Sequence, residues 1–251
     1  MREACRKELL ATGLATFVNT RVKTIEKISD GQFEVVDHAD KHWVGKKVLL
    51  SYGAREVFPD LPGYLDLYTR RIFPCMFQFG YELRGSPSGG LLAIDGLANL
   101  QHAALLTLDG HRFADKMTIY TNGDQILFES LRNRFLGTTS IHLDDRKITH
   151  VGQDTETSQV VINFEVGAKC LESFLIHRPK ITIDQNLPSQ LKIKPSESGG
   201  IQVAPPFYGT NVRGVYAAGD CASPMKTITN AMTMGSYAAC GLSRELQTDK
   251  Y

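Results

Sequence analysis

The sequence predicts an α/β protein in which a parallel layer of strands and helices carries an antiparallel appendage. Three observations predict it. Between about 83 and 184, apolar strand-like runs alternate with helical stretches. The block before them is mostly strand in character. The chain closes on an apolar strand, VRGVYAAGD, that runs into a helix rich in small residues.

Residues 2–14 (REACRKELLATGL) space their apolar residues at helical intervals among charges, which predicts a short amphipathic helix. RVKTIEKI and QFEVVDH flank Ser29-Asp30-Gly31, a tight-turn signal, so they predict a hairpin. KKVLLS at 46–51 is an apolar strand followed by Gly53. The aromatic stretch VFPDLPGYLDLYTRRIFP has prolines at 59, 62 and 74, which argue against regular helix, and it reads as a connection between domains. GLLAID, KMTIYTNG, KITHVGQ, SQVVINFEV and CLESFLIH follow as strands. ANLQHAALLTLDG and DQILFESLRNRF intervene as helices. TITNAMTMGSYAACGLSREL is the last helix, whose Ala and Gly face suits close packing on a sheet or a ligand.

The chain of 251 residues has a formal net charge of +1, which gives no electrostatic footprint for nucleic acid or an anionic membrane. No apolar run reaches the ~20 residues of a membrane helix. The five cysteines (Cys5, Cys75, Cys170, Cys221 and Cys240) show no C-x-x-C pair, and the odd count predicts free thiols in a cytoplasmic setting. The seven histidines (His38, His42, His102, His111, His142, His150 and His177) are dispersed without ligand spacing, so no metal site is expected.

The sharpest local signal is GVYAAGDC at 214–221. A buried strand ends at a glycine where backbone and ligand approach closely, and Asp220 stands at the strand tip. The helix that follows aims its first amides at an anion or an electron-rich ring edge. The bland alternative is a buried strand with a capping aspartate.

Together with FPDLPGY at 58–64, IFPCMFQFGYE at 72–82, TIYTNG at 118–123, PPFY at 205–208 and PMKTITNAMTMGSYAA at 224–239, the chain resembles the thioredoxin reductase family. Within it, the chain is most similar to the fungal dithiol oxidases of disulfide-bearing natural products, of the gliotoxin and holomycin type. The resemblance implies a split FAD domain, residues 1–70 and 186–251, around an inserted Rossmann-like, NAD(P)-like domain at 71–185. It implies Gly219 and Asp220 at the ribityl and pyrophosphate of FAD, and Met234, Gly235 and Ser236 near the flavin ring. It also implies a homodimer.

Three departures from the family stand out. The family opens with a strand, a G-x-G-x-x-G/A loop and a helix that cradle the FAD pyrophosphate; that unit is not found here, so the chain reads as an N-terminally truncated member with an incomplete FAD domain and weakened FAD binding. The family's C-x-x-C stands here as Cys75-Met76-Phe77-Gln78, and Gln78 cannot resolve a mixed disulfide, which leaves Cys75 as a lone candidate nucleophile. Ser51-Tyr52-Gly53 replaces the family's Ala-Thr-Gly, and the Tyr52 ring is expected to crowd the cofactor wall. A single glycine, Gly96, stands where a dinucleotide loop needs several, so NAD(P) is not expected. The resulting expectation is a secondary-metabolite enzyme acting on a small natural-product intermediate without dithiol redox, by isomerisation, cyclisation or dehydration, in a pocket lined by Cys75, Asp220 and the last helix. The alternatives are an FAD-dependent oxidoreductase using a partial or dimer-completed flavin site, and a non-catalytic partner subunit.

Overall fold

The computed structural model describes residues 2–249. They form two compact units: residues up to Arg55 and from Thr182 onward make the first, and Glu56–Ile181 make the second.

In the first unit, Val22–Ser29 and Gln32–Asp37 pair antiparallel across the Asp30-Gly31 turn, and His42–Gly45 joins as a third strand. Gly31 takes φ 75°, the left-handed conformation that a two-residue hairpin turn requires. Val48–Leu50 pairs parallel with Val215–Ala217. Ile25, Phe33, Leu50, Val215, Ala217 and Cys221 meet in one buried cluster. The last helix, Ile228–Thr248, packs close, as its small residues predict. A Cβ on Gly241 would lie 2.6 Å from the Phe207 Cβ and 3.0 Å from the Tyr216 ring. The first helix, Arg2–Ala11, buries none of its residues, and Leu9 and Leu10 stay half exposed.

The C-terminal end of the last helix is pinned by charge. Glu245 bonds Lys47 at 3.0 Å and Arg213 at 3.3 Å, and accepts the Tyr216 hydroxyl at 2.7 Å. Lys47, whose side chain is 3% exposed, also bonds Asp249. Burial works to raise the Glu245 carboxyl, but Tyr216, Lys47 and Arg213 outweigh it and hold it below the ordinary range. A carboxyl held low stabilises the fold above its unfolded pKa, and that stabilisation is lost as pH falls through the lower folded value. Glu245→Gln is therefore expected to cost roughly 1–3 kcal/mol at neutral pH. The loss should shrink in acid. Thermal melts at both pH values check it, and an unchanged neutral Tm would remove the network from the account of stability.

The second unit is built on a parallel five-stranded sheet in the order Ile72–Phe73, Leu175–Ile176, Gly89–Leu92, Met117–Tyr120, Ile141–Asp144. The appendage is antiparallel: Ile148–Gln153, Val160–Phe164 and Cys170–Glu172. Helices Leu100–His111 and Gln125–Arg134 start on side-chain caps, Asn99 accepting the His102 amide and Asp124 the Leu127 amide, each at 2.9 Å. Gly110 lets the first of these helices approach the sheet, since a Cβ there would lie 2.5 Å from Ile176 Cδ1.

The junctions between units fall at Arg55/Glu56 and Ile181/Thr182, where the sequence placed them at 70/71 and 185/186. The aromatic stretch read as a connection is core. Phe58, Leu61, Tyr64, Leu67 and Tyr68 pack with Val151, Val160 and Ile162. It also contains a single helical turn, Tyr64–Leu67, which begins beyond Pro62, because proline constrains its own φ and the residue before it, not those after. Gly63 makes the approach possible. Its φ is 81°, and a Cβ there would sit 1.7 Å from the Val151 carbonyl oxygen. Among the described residues no helix is long and apolar enough to cross a membrane.

Candidate functional site

The site lies at the carboxyl ends of the first unit's two parallel strands. Val215–Ala217 runs into Ala218-Gly219-Asp220, with Gly219 at φ 80°. Val48–Leu50 runs into Ser51, Tyr52 and Gly53, with Gly53 at φ 82°. The last helix starts beside them on Thr227, whose hydroxyl accepts the Asn230 amide at 3.2 Å. Its other first-turn amides have no partner within the helix, so this end attracts an anion or a partial negative charge. Lys226 is drawn over the turn, its Nζ donating to the carbonyls of Asp220 at 3.0 Å and Ser223 at 2.7 Å.

These segments line an open cavity of about 450 Å³, within the ordinary range for small-molecule sites. Gly53, Gly219 and Gly235 all line it. A Cβ on Gly53 or Gly235 would meet nothing within 4 Å, and one on Gly219 only Ala231 Cβ at 3.7 Å. Three stretches of bare backbone thus face open space, in a cavity that also carries the carboxyl group of Asp220, the ammonium of Lys226 and the apolar Leu49 and Ile228.

The structure brings together three of the five residues expected at a cofactor: Gly219, Asp220 and Gly235. Met234 is 2% exposed and packs in the core with Tyr216, Ala218 and Ala238. Ser236 is exposed, its hydroxyl donating to the Met232 carbonyl at 3.0 Å. Consecutive helical residues point about 100° apart, so Met234, Gly235 and Ser236 cannot share one wall. Gly235 shares its side with Ala231 and Ile228 instead.

Tyr52 departs from its expectation for the matching reason in a strand-like segment. Leu49, Ser51 and Gly53 face the cavity, and the intervening Tyr52 turns to the other side. There its hydroxyl donates to the Asp184 carbonyl at 2.7 Å. Burial lifts this phenol well above its ordinary range, with Cys221 and Asp184 adding to the shift, so it stays a neutral donor.

Cys75 belongs to the second unit, at the N-terminal cap of helix Met76–Leu83, where it is half-buried and makes no side-chain capping bond. Gln78 is exposed, and Phe77 is 97% exposed. The cavity is lined entirely by residues of the first unit. Cys221 stands behind it, fully buried, with its thiol against the carbonyls of Leu50 and Ala218. Burial pushes that thiol up, against several backbone bonds that lower it.

Sequence reasoning missed Lys226, although it sits in the quoted PMKTITN segment; its place just before a helix cap was the available signal. It also missed a buried pair in the second unit. His177 Nδ1 meets the Tyr64 hydroxyl at 2.7 Å with the rings edge-on, and its Nε2 is buried without a hydrogen-bond partner among the described residues.

No family model matches the chain. Individual relatives do. Thioredoxin reductase sirT of Leptosphaeria maculans is 34% identical over 249 residues, covering 96% of this chain and 76% of its own length. Thioredoxin reductase aclD of Aspergillus oryzae is 35% identical over 252 residues, covering 99% and 80%. The chain belongs to the thioredoxin reductase family.

Solved structures agree on the fold of this thioredoxin reductase-like chain. HlmI superposes with a TM-score of 0.83 at 22% identity, over 99% of this chain and 76% of its own. Thioredoxin reductase from Streptococcus pyogenes gives 0.77 at 22%, over 98% and 80%.

Membership implies FAD, and the residues present fit one half of it. The open glycines, Asp220 and the helix start suit a ribityl chain and a ring edge. No G-x-G-x-x-G loop occurs among the 251 residues to take the pyrophosphate.

Proposed function

We propose that this thioredoxin reductase-like chain is a secondary-metabolite enzyme that acts on a small-molecule intermediate without dithiol exchange, by isomerisation, cyclisation or dehydration. One observation carries the reading. The helix that begins after Cys75 presents Gln78, exposed to solvent, where the family resemblance puts a resolving thiol. An amide can neither attack a mixed disulfide nor leave as a thiolate.

The cavity of the first unit supports the rest. Asp220 supplies a carboxylate that takes a proton, and Lys226 an ammonium that donates one. The amides at the head of the last helix stabilise negative charge that develops on a carbonyl oxygen. Leu49, Ile228 and Ala231 supply apolar surface along one wall. Proton transfer between positioned groups is sufficient for the three reaction classes named, and none of them needs a second sulfur.

The test is incubation of the purified chain with candidate intermediates of disulfide-bearing natural products, followed by product analysis. A product profile identical to that in buffer counts against the proposal.

The open glycine cradle favours a second reading, a flavin oxidoreductase. FAD would supply electron transfer there, with Gly219, Asp220, Gly235 and the helix start holding its flavin half. Added FAD should then give the retained protein an absorption band at about 450 nm. A colourless protein after desalting sinks this reading and leaves the first one standing.

A further inference from the structure

We propose that the first unit binds a compact polyanion at the amino ends of its two parallel strands, opposite the glycine-floored cavity. A cavity of about 520 Å³ lies there. Segments far apart in sequence build it. The hairpin turn around Asp30-Gly31 forms one wall. Lys46 and Lys47, just before the Val48–Leu50 strand, and Arg213, just before Val215–Ala217, form another. Asp249, beyond the last helix, completes it. No apolar residue lines this cavity, so charge and hydrogen bonding select what enters it.

The charges in it do not cancel. Lys27, Lys46, Lys47 and Arg213 line it, and they outnumber the carboxylates of Asp30 and Asp249, even with Glu245 counted as the partner of two of them. The surplus falls on Lys46, which is exposed and forms no ion pair among the described residues. The other cations already hold anions. Lys27 bonds Asp30 at 2.6 Å. Lys47 bonds Asp249, and Arg213 Nη2 bonds the same carboxylate at 2.7 Å. The turn stands against that carboxylate, since a Cβ on Gly31 would lie 4.0 Å from Asp249 Oδ2.

Two donors are left over for a ligand. One is the Lys46 ammonium. The other is Arg213 Nη1, because Nε and Nη2 of that guanidinium are taken by Glu245 and Asp249. An anion with several charged oxygens bridges both and draws on Lys27 as well. A monoanion reaches too few of these groups to compete with Asp30 and Asp249. Phosphates and polycarboxylates share this chemistry. The binding is independent of the reaction proposed above, because Asp220 and Lys226 line the other cavity and no turnover is read.

Titration calorimetry of the full chain with pyrophosphate, with citrate and with acetate tests the inference. Pyrophosphate or citrate should bind, more weakly as ionic strength rises, and acetate should not. Tighter binding of pyrophosphate identifies a phosphate ligand, and tighter binding of citrate a polycarboxylate. Lys46→Gln should weaken the binding about fivefold or more while Tm holds. Asp249→Asn should tighten it about threefold, since it removes the competing carboxylate, a sign that loss of stability would not give. Lys23→Gln makes the same change in net charge outside the cavity, where Lys23 bonds Asp40, and should leave binding within about twofold. The proposal is overturned if neither polyanion binds at about 10 mM, if acetate binds as well as they do, or if Lys46→Gln binds them as the parent does.

Discussion

Asp220→Asn is expected to lower turnover of the small-molecule substrate by about 10²–10⁴-fold, while Cys75→Ser leaves it within about twofold. The contrast follows from where the two residues sit. Asp220 lines the glycine-floored cavity at the carboxyl ends of the parallel strands, beside Lys226 and the start of the last helix. An amide keeps the shape of that wall and removes its capacity to take a proton. Cys75 caps a helix of the other unit, and the residue three positions on is a solvent-exposed glutamine. Product formation measured for both variants against the parent decides the matter. If Cys75→Ser is the inactive one, thiol chemistry returns and the proton-transfer reading falls. Both substitutions are small, and equal Tm values would show that the comparison is one of chemistry.

The second large effect is on stability and concerns His177. Burial drives its imidazole down to about 4, although the Asp95 carboxylate and the Ile94 carbonyl pull the other way. It is therefore neutral in the fold at neutral pH, with Nδ1 engaged by the Tyr64 hydroxyl. In the unfolded chain the same side chain binds a proton below about 6.5. The unfolded state thus takes up more protons between these two values, so stability is fully present above about pH 6.5 and falls as pH drops toward 4. The loss should approach roughly 3 kcal/mol across that window. Denaturant melts between pH 7 and 4 measure it. His177→Phe is expected to be less stable at pH 7, having left the Tyr64 hydroxyl buried without a partner, and to show a shallower decline in acid. An unchanged slope in that variant would move the pH dependence to other groups, Glu245 first among them.

Much of this molecule is legible along the chain because local spacing carries it. Asp30-Gly31 between two alternating runs predicted the hairpin that forms. The strand ending at Gly219-Asp220, followed by a helix of small residues, predicted both the wall and the floor of the cavity. The same segments carry the family resemblance, which sequence relatives at 34% and 35% identity show.

What was not legible depends on which way a side chain turns and on what lies across from it. Tyr52 was expected to crowd the cofactor wall, yet strand alternation sends Ser51 and Gly53 to that wall and Tyr52 to the other side. Met234 and Ser236 adjoin Gly235 in sequence, but the helical step puts one in the core and the other in solvent. The prolines at 59 and 62 marked a break in regular structure, and only the packing of Phe58, Tyr64 and Leu67 on the appendage made that stretch core.

Chain order therefore settled the hairpin, the Gly219-Asp220 tip and the family, since each is written within a few consecutive residues. The tertiary structure alone decided the Tyr52–Asp184 contact and the His177–Tyr64 pair. Tyr52 and Asp184 meet across more than a hundred residues of chain, and Tyr64 and His177 do the same. Such meetings are set by how strands and helices bury their apolar faces against each other, a global balance that no local spacing encodes.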